Sequence, residues 1–327
     1  MSPKKILVIR FSSIGDIVLT TPVLRCVKTQ VPGVLIHYVT KEVFKPVLEQ
    51  NPNIDRLWTF RNDVTELASD LKAEKFDLVI DLHKNLRSFR LKRILGVKSV
   101  SFEKLNLQKF LAVHLKMRDQ LPAIHIVQRY LKTVEVLGVK DDGGGLEYFI
   151  GKDEQLAPSM LYFNGEQQKY LALVIGGSYA TKQIPLAQLQ SICKHSPMPV
   201  ILLGGQSDKG LGEELVKSIT GKKVINTCGS LTINQSASLI QQAAWVISSD
   251  TGLMHVAAAF HKRIVSVWGN TIPEFGMGVY LPQADSRVME VKGLSCRPCS
   301  KLGYKKCPKG HFKCMQLHDF GFVKDLK

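Results

Sequence analysis

Short apolar runs alternate with amphipathic stretches along the first half of the chain. Five runs have the length and β-branched content of buried strands, at residues 6–11, 35–39, 56–60, 78–82 and around Val100. Helical patterning lies between them and starts after the first run, with Pro22 near the beginning of that helix. The pattern also predicts one long closing helix from Ile124 to Leu137.

The same alternation returns after the glycine-rich turn at residues 141–145. Five further strands are predicted there, at residues 170–175, 200–203, 224–226, 245–247 and 264–268. Repeated strand–helix alternation implies parallel sheets with helices on both faces. We therefore predict two Rossmann-like domains, at residues 1–157 and 158–327. Because ligands bind outside the carboxyl ends of parallel strands, we expect the site in a cleft between the two domains.

The segment from Ser248 to His255 indicates the chemistry of the second domain. Asp250, Thr251 and Gly252 stand where the apolar strand ends and a helix begins. Backbone N–H groups and the helix dipole at such a point bind phosphate. A carboxylate beside them can hold sugar hydroxyls, so the turn predicts a ligand in which a sugar is joined to a phosphate. The alternative is that Asp250 only caps the helix.

The loop that follows the first predicted strand also ends in a carboxylate. Gly15 allows a tight turn, and Asp16 opens a helix at the edge where we expect the cleft. A carboxylate placed there can act as a general base, or it can simply cap the helix. Since Gly15 is the sole glycine of this loop, the loop lacks a GxGxxG fingerprint, and a nicotinamide-dependent dehydrogenase is disfavoured.

Two glycine-containing loops of the second domain offer groups for a nucleotide. Residues 176–182 combine flexible backbone with the hydroxyls of Ser178 and Thr181 and the cation of Lys182, which suits a diphosphate. The spacing is not that of a Walker A loop. In the next such loop, Asp208 can bind a ribose hydroxyl or can cap a helix.

Charge and length narrow the class of protein. The 327 residues favour two domains, and the formal net charge of +16 favours anionic partners. Six bases between Lys84 and Lys98 have no acid among them from Asp81 to Glu103. No apolar run is long enough for a membrane span, and the N-terminus does not resemble a signal peptide, so we expect a cytoplasmic protein.

Five segments resemble, in order along the chain, the motifs of the lipopolysaccharide heptosyltransferases of glycosyltransferase family 9. They are the opening residues 5–22, Asp81 to Ser88, Lys182 to Pro185, Asp250 to His255, and a cysteine-rich tail at residues 296–314. Ile184, His83 and Asp208 stand where that family often has Trp, Gln and Glu. These three departures leave open a donor other than the family's usual one.

The resemblance implies a GT-B fold, an α/β architecture of two facing Rossmann-like domains with the active site in the interdomain cleft. It implies transfer of heptose from ADP-heptose to the inner core of lipid A with inversion at the anomeric carbon. Asp16 resembles the general base, Lys182 the diphosphate ligand, Asp250 the heptose ligand, and Thr251 with Gly252 the phosphate cradle. The predicted donor-binding residues are Ser178, Thr181, Lys182, Asp208, Asp250, Thr251, Gly252, Leu253 and His255. The predicted acceptor-binding residues are Ser13, Gly15, Lys84 and Arg87.

Several alternatives remain open at this level. The protein can be a family 9 transferase that uses another nucleotide sugar or, more remotely, a non-catalytic polyanion-binding protein. Nucleic acid is disfavoured because aromatic residues do not interleave with the basic clusters. The acceptor is anionic, and the basic surface around Lys84 and Arg87 also suits peripheral contact with the inner face of the inner membrane.

No cofactor is expected, and metal-independent transfer is predicted because a lysine and a helix start can stabilise the leaving diphosphate. The tail holds four of the seven cysteines in the spacing C-x₂-C-x₇-C-x₃-H-x₂-C. Its thiols and histidine are a candidate zinc site, although the second ligand pair is irregular. The candidate ligands are Cys296, Cys299, Cys307, His311 and Cys314. The other three cysteines lie in apolar runs and are predicted to be core residues.

Overall fold

A computed structural model of the chain describes residues 3–156, 162–163, 166–167 and 169–327, with backbone alone at residues 162–163 and 166–167. The chain forms two compact units. Residues 1–104 and 124–149 make up the first, and residues 105–123 and 150–327 make up the second. The predicted domain boundary between residues 157 and 158 lies outside the described residues.

The first unit is built on a five-stranded parallel sheet in the order β3-β2-β1-β4-β5. Its strands are β1 (Lys5–Ile9), β2 (Leu35–Lys41), β3 (Arg56–Phe60), β4 (Leu78–Asp81) and β5 (Ser99–Ser101). The central strands are nearly continuous apolar runs because helices cover both faces of a parallel sheet. Ile6 to Ile9 are almost fully buried, and the five strands lie where the apolar runs predicted them.

The second unit contains a six-stranded parallel sheet in the order β10-β9-β8-β11-β12-β13. Its strands are β8 (Leu171–Val174), β9 (Val200–Leu203), β10 (Val224–Asn226), β11 (Trp245–Ser249), β12 (Arg263–Trp268) and β13 (Arg287–Glu290). A separate antiparallel ribbon pairs β6 (Tyr162–Phe163) with β7 (Glu166–Gln167). The edge strand β13 and the ribbon were not predicted. Arg287 and Val288 of β13 are exposed, so this strand carries no buried apolar run.

Helices connect the strands in both units. The first unit contains α1 (Ile14–Val18), α2 (Thr21–Gln30), α3 (Ala68–Ala73), α4 (Leu86–Leu95) and α6 (Ile126–Leu131). The second contains α5 (Asn106–His114), α7 (Leu186–His195), α8 (Lys209–Ser218), α9 (Ile233–Gln242), α10 (Gly252–Ala259) and α11 (Lys313–Gln316). Helix α5 belongs to the second unit because Ala112 and Leu121 pack with Ile272 and Phe275 in one apolar cluster.

Two helix predictions were wrong in extent. The helix expected after the first strand is two helices, α1 and α2, and Pro22 occupies the first turn of the second. The closing helix expected from Ile124 to Leu137 ends at Leu131, and a short 3₁₀ turn follows at Glu135–Leu137. The Thr133 hydroxyl donates to the Tyr130 carbonyl at 2.6 Å, a side-chain bond that competes with continued helix.

Within the described part of the chain, none of the helices combines the length and apolar character that a bilayer crossing requires.

Candidate functional site

Each sheet has one point where its strand order reverses, and the predicted site residues gather at these two points. In the first sheet the chain moves outward from β1 in one direction and then restarts at β4 on the other side. In the second sheet the corresponding pair of strands is β8 and β11. Ligands of doubly wound sheets bind outside the carboxyl ends of such strand pairs.

At the first switch point, Asp16 is the third residue of α1, and the N-cap is Ser13. Asp16 Oδ2 accepts hydrogen bonds from the Ser13 hydroxyl at 2.9 Å and from the Ser13 backbone N–H at 3.3 Å. Its other oxygen, Oδ1, lies 2.6 Å from Arg10 Nη2. A quarter of the Asp16 side chain is exposed (26%), so a substrate can reach this carboxylate.

Arg10 is the buried cation that holds Asp16 in place. It follows the last residue of β1, and its guanidinium donates to the Ser12 carbonyl at 2.8 Å, the Leu82 carbonyl at 2.6 Å and the Tyr130 hydroxyl at 3.0 Å. Burial is the largest single effect and opposes the charged form, but Asp16, Tyr130 and Tyr38 together outweigh it, and the pKa of Arg10 is raised. The ion pair therefore presents one carboxylate in one orientation.

The carboxyl end of β4 lies beside this pair and is organised by Asp81. Asp81 Oδ1 accepts bonds from the backbone N–H groups of His83 and Lys84, and Oδ2 accepts from Ser88 and lies 2.9 Å from Lys92. These contacts turn the chain from the strand into α4. Asp81 is fully buried, so it shapes the loop and does not meet a ligand.

The four predicted acceptor residues and His83 lie in the segments that follow β1 and β4. The His83 ring packs on Phe11 at 4.8 Å, and burial, helped by the nearby Arg10 cation, lowers the pKa of His83 to about 3. The Arg87 guanidinium also lies over the Phe11 ring, with its central carbon 5.7 Å from the ring centroid. Lys84 and Ser13 are exposed, and Gly15 is buried in the turn.

At the second switch point, Lys182 and Asp250 form an ion pair. Lys182 Nζ lies 2.5 Å from Asp250 Oδ2, and their side chains are 16% and 11% exposed. Thr271 Oγ1 donates to the same carboxylate oxygen at 2.9 Å. The two members come from different loops, the one after β8 and the one after β11, so the sheet brings together the cation and carboxylate expected from the sequence.

The start of α10 lies next to this ion pair. Thr251 is the N-cap, with its hydroxyl 3.1 Å from the Ser248 hydroxyl and no side-chain bond to the helix backbone. Gly252 and Leu253 form the first turn, whose N–H groups point to the loop side. His255 is buried within the helix (2% exposed). The Thr251 side chain thus leaves the first-turn N–H groups of α10 uncapped, and phosphate binding there stays a prediction.

The remaining predicted donor residues have mixed surroundings. Ser178 is exposed. Thr181 is buried, and its hydroxyl accepts a bond from the Tyr304 backbone N–H at 2.8 Å. Asp208 is also buried and accepts bonds from the Gly205 N–H at 2.8 Å and the Gln183 amide at 3.4 Å. Asp208 therefore caps the turn before α8, which was the alternative left open for it.

The four tail cysteines and His311 line one small pocket, together with Asn270. Cys296 Sγ lies 3.8 Å from His311 Nε2, and burial raises the pKa of Cys314 to about 11. Asn270 is buried, and neither polar atom of its side chain has a hydrogen-bond partner.

Three metal-type donors lying mutually within 4.8 Å are found, among the described residues, at Cys26, Asp141 and Asp142. There Arg25 binds both oxygens of Asp142, at 2.7 and 2.8 Å. The tail donors are more widely spaced than that group, and zinc binding by the tail stays a prediction. Cys26, Cys193 and Cys228 are buried, as predicted for core residues.

Sequence reasoning missed Arg10 and Thr271 as site residues. Arg10 carried a signal, because a charged residue directly after a buried apolar run must meet a partner at the strand end. Thr271 carried no such signal, since its hydroxyl belongs to the site only because it donates to Asp250, twenty-one residues earlier in the chain.

Comparison with known proteins adds the family. Residues 64–307 match the family described as glycosyltransferase family 9 (heptosyltransferase). Lipopolysaccharide heptosyltransferase 1 of Pseudomonas aeruginosa is 25% identical over 319 residues, which cover 91% of this chain and 86% of that protein.

Solved structures show the same fold. A family 9 glycosyltransferase of Veillonella parvula superposes with a TM-score of 0.72 at 23% identity, covering 88% of this chain and 86% of that one. ADP-heptose lps heptosyltransferase II of E. coli superposes with a TM-score of 0.68 at 18% identity, covering 96% and 98%. The expected GT-B class, with two parallel-sheet α/β domains, is confirmed. With a family match over most of its length, the chain belongs to glycosyltransferase family 9 (heptosyltransferase).

Proposed function

We propose that this protein transfers heptose from ADP-heptose to an inner-core sugar of lipid A, with inversion at the anomeric carbon. The observation that carries the proposal is the Lys182–Asp250 pair beside the first turn of α10, at the switch point of the second sheet. The names of the relatives support it, since the similar proteins are described as lipopolysaccharide heptosyltransferases and one as an ADP-heptose enzyme.

The donor diphosphate binds between Lys182 and α10. Lys182 is a point charge on a flexible stem, so its ammonium can turn from Asp250 to a phosphate oxygen without moving the backbone. The first-turn N–H groups of α10 supply further donors, since the Thr251 side chain does not cap them. Released from the lysine, Asp250 accepts hydrogen bonds from the sugar hydroxyls.

The reaction is a single displacement. The acceptor hydroxyl oxygen forms a bond to the anomeric carbon of the donor while the bond from that carbon to the β-phosphate oxygen breaks. The hydroxyl proton passes to Asp16, and ADP leaves with its new charge stabilised by Lys182 and α10. Arg10 contributes by orienting the Asp16 carboxylate through their 2.6 Å contact, and a general base must be oriented toward the proton that it takes.

The acceptor is anionic and binds at the carboxyl end of the first sheet. Lys84 and Arg87 follow β4, the strand next to the one that leads to Asp16. The departure of His83 and Ile184 from the family's usual residues keeps a second candidate, a family 9 transferase with another nucleotide sugar. Ile184 is 2% exposed and belongs to the apolar core of the second unit, so its departure from Trp concerns core packing.

The proposed function includes a contact between helix α4 and the membrane surface. Leu86 and Phe89 are three residues apart on one face and are 64% and 51% exposed. Arg90 is exposed beside them, and the Arg93 guanidinium lies over the Phe89 ring. Exposed apolar side chains among cations, with no acid nearby in sequence, suit an anionic bilayer surface.

A screen of thermal stabilisation over nucleotides and nucleotide sugars tests the donor. A ligand that binds only the folded state at a hundred times its Kd adds about 2.7 kcal/mol of stability, so ADP and ADP-heptose should raise Tm by several degrees. UDP, GDP and CMP at the same concentration serve as controls. Stabilisation by one of these and not by ADP would favour the second candidate, and stabilisation by none would contradict nucleotide-sugar binding.

Vesicle sedimentation tests the membrane contact. Wild-type protein should sediment with phosphatidylglycerol vesicles and not with phosphatidylcholine vesicles, and replacing Leu86 and Phe89 by serine should weaken this binding. Val136→Ser is the matched control, because Val136 is also an exposed apolar residue of the first unit (56%). Equal loss in the control, or binding that salt does not weaken, would contradict the assignment.

The tail thiols are proposed as a zinc site separate from the transfer chemistry. The 3.8 Å between Cys296 Sγ and His311 Nε2 is near the ~3.5 Å expected for sulfur and nitrogen ligands of one tetrahedral zinc. Metal analysis of purified protein should give one zinc per chain, and it should be lost in Cys296→Ser but kept in Cys193→Ala, which changes a core thiol. Protein without bound metal after purification and zinc addition would contradict the site.

A further inference from the structure

Arg297 lies at the centre of the contacts between the tail and the loop after β12. It is 4% exposed, and its guanidinium has four acceptors. Nε donates to the Gly269 carbonyl at 2.5 Å and Nη2 to the Thr271 carbonyl at 3.0 Å, while Nη1 donates to Glu290 Oε2 at 2.7 Å and the Val291 carbonyl at 3.2 Å. A planar fork with this many partners has one orientation, so it fixes the carbonyls that it binds.

Two of those carbonyls flank Asn270, and the second belongs to the residue that binds Asp250. The Thr271 hydroxyl donates to Asp250 Oδ2 at 2.9 Å, and Lys182 Nζ lies 2.5 Å from the same oxygen. Thr271 is 2% exposed. The orientation of the Asp250 carboxylate therefore depends on a backbone segment whose position is set by Arg297.

A second part of the tail holds the turn that carries Lys182. Tyr304 N–H donates to Thr181 Oγ1 at 2.8 Å, and Thr181 N–H donates in return to the Tyr304 carbonyl at 3.2 Å. The Tyr304 hydroxyl donates to the Cys299 carbonyl at 2.9 Å, and Cys299 N–H donates to the Asn270 carbonyl at 3.2 Å. The same stretch of tail thus reaches the loops of both members of the ion pair.

We propose that residues 296–304 of the tail are a positioning element for the donor site. Arg297 sets the orientation of Asp250 through Thr271, and Tyr304 sets the turn of Lys182 through Thr181. The inference rests on the proposed function, because it assigns the Lys182–Asp250 pair to the donor. Arg297 touches neither substrate in this assignment and is a positioning residue.

Two variants break the Arg297 route at different points. Arg297→Lys keeps the charge but loses the fork, and Thr271→Val keeps the shape but loses the hydroxyl on Asp250. Thr271→Val removes the hydrogen bond to the Asp250 carboxylate, and Arg297→Lys removes the bond that holds the Thr271 carbonyl. Each variant should therefore raise the donor KM about tenfold. The acceptor KM should stay near its wild-type value. Thr271→Val carries the test if Arg297→Lys does not fold.

Glu290→Gln is the matched control. Glu290 accepts from Nη1 of Arg297, whereas the Thr271 carbonyl accepts from Nη2, and the amide of the variant can still accept from Nη1. This variant should lower Tm, because it removes the charge that faces a buried guanidinium, while the donor KM stays unchanged. A rise in donor KM equal to that of Arg297→Lys would overturn the assignment and reduce Arg297 to a stabilising residue.

The double variant separates positioning from general destabilisation. If Arg297 acts through Thr271, Arg297→Lys combined with Thr271→Val should raise the donor KM by about tenfold, no more than either alone. Multiplied effects, of about a hundredfold, would overturn the proposal because they would show two independent routes.

Failure of the proposed function has a different signature. In that case wild-type protein shows no ADP binding, yet urea unfolding should still show coupling between the Arg297→Lys and Thr271→Val changes, because the contact belongs to the fold. ADP binding by wild type together with normal donor KM in both variants would overturn the positioning role alone.

Discussion

The switch points of the two sheets each pair one carboxylate with one cation, but the cations differ in how they are held. The Arg10 side chain is 10% exposed, and its guanidinium donates to three other acceptors besides Asp16. Lys182 is 16% exposed, and its ammonium contacts Asp250. The first pair fixes a carboxylate, whereas the second keeps a cation that can change partner.

This difference teaches how one strand–turn–helix arrangement serves two chemistries. A base must be ionised and stationary, which a guanidinium with several backbone partners provides. Under the proposed function the diphosphate needs a cation that can reach it, and the 16% exposed Lys182 side chain suits that role.

Asp16→Asn should have the largest effect. The amide keeps the shape and the Ser13 contact but cannot take a proton, so turnover should fall by about 10²–10⁴-fold. Steady-state transfer from ADP-heptose to a lipid A inner-core acceptor measures it. Near-normal turnover would remove Asp16 from the role of base, and a parallel loss of ADP affinity would place it on the donor side instead.

Lys182→Ala should come next. It removes one charge-assisted bond to the diphosphate, which corresponds to a loss of about 10–100-fold in donor affinity. The donor KM should rise while the acceptor KM does not. Lys209→Ala, an exposed lysine on α8 of the same unit, is the control and should leave both constants unchanged. A donor KM within twofold of wild type would contradict the diphosphate assignment.

His83→Gln should have the smallest effect, and it concerns stability. The folded pKa of His83, about 3, lies below the ordinary value near 6.5, because the ring is buried beside Arg10. Between those pH values the unfolded chain binds a proton that the folded chain does not, so stability falls as pH drops through this window. Glutamine does not titrate, so the variant does not lose stability in this way. The Tm of the variant minus that of wild type should therefore rise by a few degrees as the pH falls from 6.5 to 4. An unchanged Tm difference would contradict the burial of a neutral ring.

Much of the fold could be predicted because each strand of the two sheets' interiors is a short apolar run that is visible in the local sequence. Runs such as Leu171–Val174 are apolar at every position, and the residue type that follows each run marks its carboxyl end. Since carboxyl ends of parallel strands share one edge, the same reasoning predicted that Lys182 and Asp250 lie near each other. The ion pair confirms that they do.

The contacts that tune the site could not be predicted, because their partners are remote in sequence. Arg10 binds the Leu82 carbonyl and Tyr130, and Thr181 binds Tyr304 across more than a hundred residues. For Asp208 the two predicted roles, binding of a ribose hydroxyl and capping of a helix, need the same residue type in the same turn. The hydrogen bond from the Gly205 N–H to Asp208 Oδ2, seen in the structure, shows that the carboxylate caps the turn.

Calorimetric titration of ADP into wild type, Asp16→Asn and Lys182→Ala tests the central claim most directly, since it separates the fixed carboxylate from the exchangeable cation. Asp16→Asn should bind ADP with wild-type affinity although its turnover is lost, and Lys182→Ala should bind ADP about 10–100-fold more weakly. Weakened ADP binding by Asp16→Asn together with unchanged binding by Lys182→Ala would contradict that claim.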